Sequence, residues 1–546
     1  MITRILNTQT KRISLASFIL AVAYLMSALL GILRDRLLAG RFGAGDELDI
    51  YYAAFRIPDF VAMVMILGAI SAAIIPVFSS YFVRSKEEAW KFASALLNVF
   101  LAVLVVVSAI LAILAPYFVC LIAPGFSGEK REMTILLTRI MFLSPIILGT
   151  SNIISGILQV FHRFLATALA PIMYNLGIIF GIVFFVPRIG LQGLAWGVAL
   201  GGFMHLLIQL PAFYSSGFRY RKIFNLGHPG VVRVIKLMIP RSFGLAAGQI
   251  NLIAVTAIAS TLVSGSIAVF NLANNLSSIV INFIAVSMST AIFPALSLAF
   301  SKDENQDFLN KFSMVFRQIL FLTIPLSAVF FMLRAQIVRL ILGVGQFGWM
   351  DTRLTAACLG IFSIGLFAQS LVFHISKTFY ATHNTKTPAL ISFASVACNI
   401  GLSLLFVWLL SFQNLFFVFL QKLFKLEGID NIAVIGLSLA FSMTAIFQLK
   451  LLLIALYYRI GNFKIKEILG SFSKIAAAAV IMAASVYFTR QILAGVVDMQ
   501  TFWGILFQTA GAALAGVVVY SAIALILKSP ETRVIKNLIF KQIIRQ

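Results

Sequence analysis

The sequence predicts an all-α, polytopic membrane protein of about fourteen transmembrane helices, arranged as two six-helix lobes in parallel pseudo-repeat followed by two C-terminal helices. Three observations carry this. Of 546 residues, 61% are hydrophobic and only 11% charged, too few polar groups to cover a soluble surface. Apolar stretches of roughly 20 residues recur along nearly the whole chain, each long enough for a helix to cross about 30 Å of hydrocarbon with its backbone hydrogen bonds closed internally. The alternating segments of about 10 residues that a β-barrel needs do not occur.

Taken in order, hydropathy places helices near 14–33, 57–82, 92–115, 135–161, 165–187, 190–213, 237–262, 267–299, 313–335, 354–380, 388–411, 431–457, 471–489 and 502–527. The first follows a basic N-terminus (Arg4, Lys11, Arg12) but runs unbroken from Ser14 to Leu33 with no small-residue cleavage site, so it reads as a retained helix. An even number of spans puts both termini on one side. With the N-terminus inside, Lys and Arg are more numerous in the inner segments than in the outer ones, so both termini are expected to be cytoplasmic. The same distribution accounts for the net charge of +24: the basic residues lie between apolar segments rather than on one basic domain, and no nucleic-acid partner is expected. Cys120, Cys358 and Cys398 are widely spaced in apolar surroundings, without metal-ligand or disulfide spacing, and read as packing residues.

The organisation is repetitive. AIIPVFSSYF at Ala73–Phe82 and AIFPALSLAF at Ala291–Phe300 each close the second helix of a half, with Pro76 and Pro294 separated by 218 residues. At nearly the same offset, Pro171 and Pro388 each open a fifth helix after the loops His162–Ala170 and Ala381–Thr387. Six helices per half preserve orientation, which implies parallel repeats of the kind found in alternating-access transporters. The domains are therefore expected to be an N-terminal lobe at 1–213, a basic cytoplasmic linker at 214–236, a C-terminal lobe at 237–457, and two further helices with a basic tail at 458–546. The insertion Phe412–Asp430 has amphipathic spacing suited to the membrane interface.

Charge is concentrated at Gly31–Asp59, where Arg34, Asp35, Arg36, Arg41, Asp46, Glu47, Asp49, Arg56 and Asp59 crowd between two apolar helices. Such groups cost several kcal/mol at bilayer depth unless they face water or one another, so a lined aqueous cavity is expected. Phe42-Gly43-Ala44-Gly45 supplies a flexible break, and Pro58 removes a donor from the second helix's ladder. Arginine suits a phosphate-bearing cargo because its planar guanidinium donates parallel hydrogen bonds and stays charged when partly dehydrated. Arg34 and Arg56 are the first candidates for binding a diphosphate; the bland alternative is an external loop in which Arg34, Arg36 and Arg41 pair with Asp46 and Asp49. Asp35 and Asp49 are candidate ion-pair or gating carboxylates. Arg139 and Arg241 are further intramembrane cations that either snorkel to an interface or, for Arg241, add to substrate binding. Gln249, Asn251, Asn271, Asn274 and Asn275 supply amides that hold helices together or line a cavity, with Gln249 and Asn275 the cavity candidates.

No enzymatic constellation appears: there is no Walker-type loop or metal-ligand cluster, and the five histidines (His162, His205, His228, His374, His383) are scattered. Neither a catalytic role nor a cofactor is expected, and transport must draw on the membrane potential or an ion gradient.

At this point the residues resemble the MurJ/MviN family, the lipid II flippases of peptidoglycan synthesis. The resemblance rests on GILRDRLLAGRFGAG followed by Asp49 and AAFRIPD, then GAISAAIIPVF, FHRFLATALAPIMYN (Phe161–Asn175) and FYATHNTKTP (Phe379–Pro388), and covers roughly residues 14–460. It implies a fold of the multidrug/oligosaccharidyl-lipid/polysaccharide exporter class in the bacterial cytoplasmic (inner) membrane, with a central cationic cavity and a lipid-tail groove formed by the last two helices. It also implies alternating access coupled to membrane potential or Na+. The partners it implies are lipid II, membrane lipids and other cell-wall synthesis proteins. Arg34 and Asp49 match charged functional positions of the family, and Arg56 a position where a basic residue is usual. The sequence departs at Ala28, Ala62 and Asn275, where the family often has arginine, and at Leu67, where it has an acidic residue. Arg241, Arg36 or Arg41 are available to compensate for the lost arginines. The departures keep two alternatives open: export of another undecaprenyl-diphosphate-linked saccharide, and a scaffold that has lost transport.

Overall fold

A computed structural model describes residues 13–67 and 73–532, apart from the side chains of 13–19, 240, 241, 243 and 245. The basic N-terminus (Arg4, Lys11, Arg12), Gly68 and the side chain of Arg241 lie outside the described residues. The protein is all-helical and multi-pass. Among the described residues eleven helices are long and apolar enough to cross a membrane. With the helical stretches at 13–42, 46–67, 75–84 and 229–260, helix occupies the described residues of the segments expected from hydropathy. The chain divides into two compact units, 1–268 and 269–546.

In the first unit, α1 (Ile13–Phe42) runs nine residues beyond its expected end, so that Arg34, Asp35, Arg36 and Arg41 are helical rather than in a loop. The turn falls at Gly43, whose φ is +62°. α2 (Asp46–Val61) carries Pro58 internally and passes into a π-helical stretch at Ala62–Leu67, followed by α3 (Ile75–Arg84). Irregular backbone at membrane depth needs outside hydrogen-bond partners. Ser242 Oγ supplies one, donating to Val64 O at 2.6 Å. Ala54 O, left without its usual donor by Pro58, has Thr138 Oγ1 at a weak 3.5 Å.

α4 (Lys86–Ile113) and α5 (Ala115–Ile122) lead to α6 (Gly128–Met141) and α7 (Leu143–Val160), which start seven residues earlier than hydropathy suggested and break at Phe142. α8 (Phe164–Phe180) and α10 (Gln192–Leu207), with the short α9 (Val186–Ile189) between them, pack through Gly177, Gly181, Gly197 and Gly201. A Cβ on Gly177 would lie 2.3 Å from Gly201 Cα, so the backbones touch as small residues at four-residue spacing allow. The unit is completed by the short α11 (Leu210–Tyr214) and by α12 (Pro229–Ser260). An aromatic core of Phe78, Trp90, Phe161, Phe213 and Phe218, with Trp90 stacked on Phe161 at 5.5 Å, closes one end.

α12 was expected to open the C-terminal lobe but groups with the first unit. The physical reason is a set of polar ties along its length: Ser242 to the π-stretch, Thr256 to Arg56, and Ser260 Oγ accepting from Gly125 N at 3.1 Å. The non-helical stretch before Pro229 therefore falls inside this unit, and it lies along α4, where Asn98 Nδ2 donates to Ile223 O and Arg221 pairs with Glu87.

α13 (Ser266–Val280) begins in the first unit, which holds its opening turn through Ala268, and from Val269 on belongs to the second, which continues with a π-stretch (Ile281–Val286), α14 (Ser287–Ser301), α15 (Asn305–Met332), α16 (Arg334–Leu342), α17 (Trp349–Ala381), α18 (Lys386–Leu409), α19 (Leu415–Phe424), α20 (Val434–Ile460), α21 (Ile465–Ala494) and α22 (Phe502–Ile526). α17 is the most enclosed helix and meets α20 where Gly365 lies against Ser442. The last two helices pack on each other and on α15, and Tyr520 Oη donates to Phe321 O at 2.8 Å. Within Phe412–Asp430, α19 is a two-sided helix: Phe417, Leu420 and Phe424 face the protein while Leu415 and Phe419 are exposed.

The repeat extends beyond the matched sequences. A π-stretch precedes Pro76 in one half and Pro294 in the other, and His162 and His383 both take a left-handed φ (55° and 58°) in the corresponding loops.

Candidate functional site

The charged residues singled out in the sequence form two clusters within the first unit. The first begins on α1. Arg34 donates from Nε (3.1 Å) and Nη2 (2.9 Å) to Asp35 Oδ1, and from Nη1 to Asn175 Oδ1 of α8 at 3.3 Å. Asn175 is fixed in turn, its Nδ2 donating to Ser27 Oγ and to Ser27 and Pro171 carbonyls. A guanidinium held by a neighbouring carboxylate and an amide is stable inside an apolar helix pair, which is why α1 continues past Leu33 instead of ending there. The Arg34 side chain remains 24% exposed while Asp35 is buried. Arg56, on α2, is buried and donates from Nε to Thr256 Oγ1 of α12 at 2.7 Å. Tyr51 and Tyr52 are also buried on α2, and the Tyr52 hydroxyl has no hydrogen-bond partner among the described residues.

The second cluster lies at the first turn of α2. Asp49, seven residues before Arg56 and thus on the same face of α2, is almost fully buried. Its Oδ2 accepts from Gly265 N at 2.8 Å and its Oδ1 from Ala268 N at 2.9 Å, so it caps the N-terminal turn of α13. Lys130 Nζ stands 3.4 Å from Asp49 and also pairs with Asp46, whose Oδ1 accepts from Ser264 Oγ at 2.6 Å. Gly265, at φ +84°, is obligatory: a Cβ there would lie 1.8 Å from Ala44 O. This knot binds the 261–265 turn to α2 and α6.

The external loop in which Asp46 and Asp49 pair with Arg34, Arg36 and Arg41 does not form. The carboxylates take Lys130 instead, Arg34 takes Asp35, and Arg41 is exposed. Arg139 is exposed and donates to Ala112 O, as a snorkelling residue does. Gln249 is buried on α12. It lies on the stripe Ser242, Gln249, Thr256, whose outer members bond to the α2 segment; that seven-residue spacing in an apolar helix was the available signal for Ser242 and Thr256. Asn275 belongs to the second unit, half-buried on α13. Lys130 and Asn175 carried no such signal, since nothing in their own segments shows which carboxylate or guanidinium they meet.

Comparison with known proteins gives these clusters a family. The family model described as "Lipid II flippase MurJ" matches residues 38–508. A "Probable lipid II flippase MurJ" of Buchnera aphidicola subsp. Acyrthosiphon pisum is 31% identical over 382 residues, 69% of this chain and 74% of the relative. One of Vibrio cholerae is 26% identical over 535 residues, 95% and 97% of the two chains. Among solved structures, "Lipid II flippase MurJ, inward closed conformation" superposes with a TM-score of 0.74 at 25% identity, covering 96% of this chain and all of the other. An inward-facing multidrug resistance MATE transporter shares the fold, with a TM-score of 0.65 at 15% identity over 80% and 95% of the chains. The chain thus belongs to the lipid II flippase MurJ family, a family of membrane transporters rather than catalysts.

Proposed function

We propose that the protein carries lipid II from the cytoplasmic to the outer leaflet of the bacterial cytoplasmic membrane by alternating access, with both termini cytoplasmic. The observation that carries this reading is the family match across 38–508, which takes in Asp49, Arg56, Lys130 and the 261–268 turn, with Arg34 and Asp35 lying a few residues before it. The undecaprenyl tail stays in the bilayer while the diphosphate and sugar pass through the protein. Arg34 is the headgroup contact: it is partly exposed, and an incoming diphosphate competes with Asp35 for its donors. Arg56 adds buried positive charge two turns below Asp49. The Asp49–Lys130–Gly265 knot acts as a latch that holds the outer end of the unit closed and parts when that end opens. The membrane potential or Na+ supplies the work, since a charge crossing 100 mV is worth about 2.3 kcal/mol.

Complementation of a host depleted of its own lipid II flippase tests the reading, comparing the intact chain with Arg34→Ala and Arg56→Ala at matched membrane expression. Rescue by the intact chain and loss in both variants is expected. A well-expressed intact chain that fails to rescue overturns lipid II as cargo and moves another undecaprenyl-diphosphate-linked saccharide to the front.

A further inference from the structure

The second unit contains a cationic cavity that the transport reading does not use. It has a volume of about 610 Å³ and lies where four helices begin or end: α15 at Met332, α17 at Trp349, α21 near Arg490 and α22 near Gln508. Three arginines line it, and every hydrogen bond recorded for them goes to a neutral carbonyl. Arg334 donates to Phe331 O (2.8 Å) and sits over the Phe331 and Phe424 rings; Arg353 donates to the carbonyls of Lys425 and Glu427; Arg490 donates to Met332 O (2.7 Å) and lies over Tyr487. The carbonyls and rings fix the three guanidiniums in place without neutralising them. Glu427 also lines the cavity, yet among the described residues no ion pair joins a carboxylate to Arg334, Arg353 or Arg490. Partial burial, and after it the like charge of Arg490, hold the Arg334 guanidinium below its ordinary value. The cavity also contains Gln336 Oε1, a buried acceptor that has no donor among the described residues while its Nε2 reaches Gln508.

Two further features define what kind of anion fits. An apolar cleft of about 260 Å³, lined by Ile324, Ala328, Ile364 and Phe367 among others, adjoins the cavity: Met332 lines both, and Phe331 of the cleft is a ring under Arg334. Trp349 and Trp503 are strongly exposed at the same helix ends, as aromatic residues are at the level of lipid headgroups. A soluble anion needs neither the cleft nor the aromatic belt.

We propose that this cavity binds the phosphate headgroup of a membrane lipid, with Arg334, Arg353 and Arg490 around the phosphate, Gln336 accepting from a headgroup hydroxyl, and the first tail carbons in the adjoining cleft. The inference goes beyond the flippase reading and does not depend on its cargo. Guanidinium recognition of phosphate is common to diacyl phospholipids and isoprenyl phosphates, so the test must separate those sources.

The intact chain, purified and delipidated in a neutral detergent, is titrated with phosphatidylglycerol, undecaprenyl phosphate, inorganic phosphate or diacylglycerol. Retention is read by native mass spectrometry and stability by thermal unfolding. At least one phosphorylated amphiphile is expected to be retained and to raise the unfolding temperature, while diacylglycerol does neither; which amphiphile does so identifies the source. Combined Arg334→Gln, Arg353→Gln and Arg490→Gln is expected to weaken retention by about tenfold or more, given what charge-assisted bonds contribute. Because Arg353 also anchors the turn after α19, a second variant keeps every structural bond: Gln491→Glu places a carboxylate on the cavity wall and is expected to compete with the phosphate. Arg188→Gln, at a helix end in the first unit, serves as the control. Equal stabilisation by diacylglycerol, or unchanged retention in a stably folded Gln491→Glu protein, overturns the proposal.

Discussion

Asp49 offers the sharpest test of the latch. Its carboxylate is nearly inaccessible and receives two backbone N–H bonds, from Gly265 at 2.8 Å and Ala268 at 2.9 Å, with Lys130 more distant at 3.4 Å. Hydrogen bonds to a charged acceptor contribute about 1.5–3 kcal/mol each. Asp49→Ala removes both and strands two donors at a helix N-terminus, so a loss of at least about 3 kcal/mol is expected, within the range for breaking a buried polar cluster. Asp49→Asn keeps one acceptor oxygen but sets an NH2 against the other donor, for about half that loss. Lys130→Met should cost less than about 1 kcal/mol, because Nζ is partly exposed and Asp46 retains Ser264. For a unit of this size about 3 kcal/mol corresponds to a fall of roughly 5 °C in the unfolding midpoint. The assay is thermal unfolding of detergent-purified protein by fluorescence-detected size exclusion. The expected order of stability is parent, Lys130→Met, Asp49→Asn, Asp49→Ala. If Asp49→Ala unfolds at the parent's temperature, the carboxylate is not capping α13 and the latch reasoning fails.

Other outcomes follow from the same geometry. Gly265→Ala should destabilise the first unit by about 1–3 kcal/mol or prevent its folding, because it combines a left-handed backbone with a Cβ pressed onto Ala44 O, and a proteolysis or unfolding assay reads this directly. Thr256→Val takes away the acceptor for Arg56 Nε; a loss of about 1.5–3 kcal/mol and impaired complementation are expected, whereas Thr256→Ser should retain both. His228 caps α12 by accepting Gly230 N–H at Nδ1, which requires a neutral ring, and partial burial holds its pKa below the usual value. A depressed folded value means that the unfolded chain takes the proton first. The contribution of His228 is therefore complete above about pH 6.5 and is lost as pH falls below it. Unfolding midpoints measured from pH 8 to pH 5 should fall less steeply for His228→Asn, which keeps a cap acceptor and does not titrate.

Much of the architecture is a direct consequence of composition. A run of apolar residues long enough to span a bilayer is satisfied as helix, because hydrocarbon offers the backbone no other partner, so the approximate places of the helical segments among the described residues were legible without tertiary information. The repeat was legible for a related reason: Pro76 and Pro294 perturb the same turn of each half, and a π-stretch precedes both. The chemical character of the Gly31–Asp59 segment was legible too, since charges at that depth require partners.

The identity of those partners belonged to the tertiary structure alone. Arg34 meets an adjacent aspartate and an asparagine 141 residues away, Arg56 a threonine 200 residues on, and Asp49 two backbone amides that carry no sequence signal at all. Helix ends and unit membership shifted for the same reason. Hydropathy sees only how apolar a stretch is, so it ended α1 at the first charges; packing against Asn175 allowed the helix to continue. It likewise grouped α12 by order along the chain, while the bonds of Ser242, Thr256 and Ser260 grouped it by contact. Burial in lipid is a property of each segment by itself, and sequence determines it; the pairing of buried polar groups is a property of two distant segments brought together, which only the fold decides.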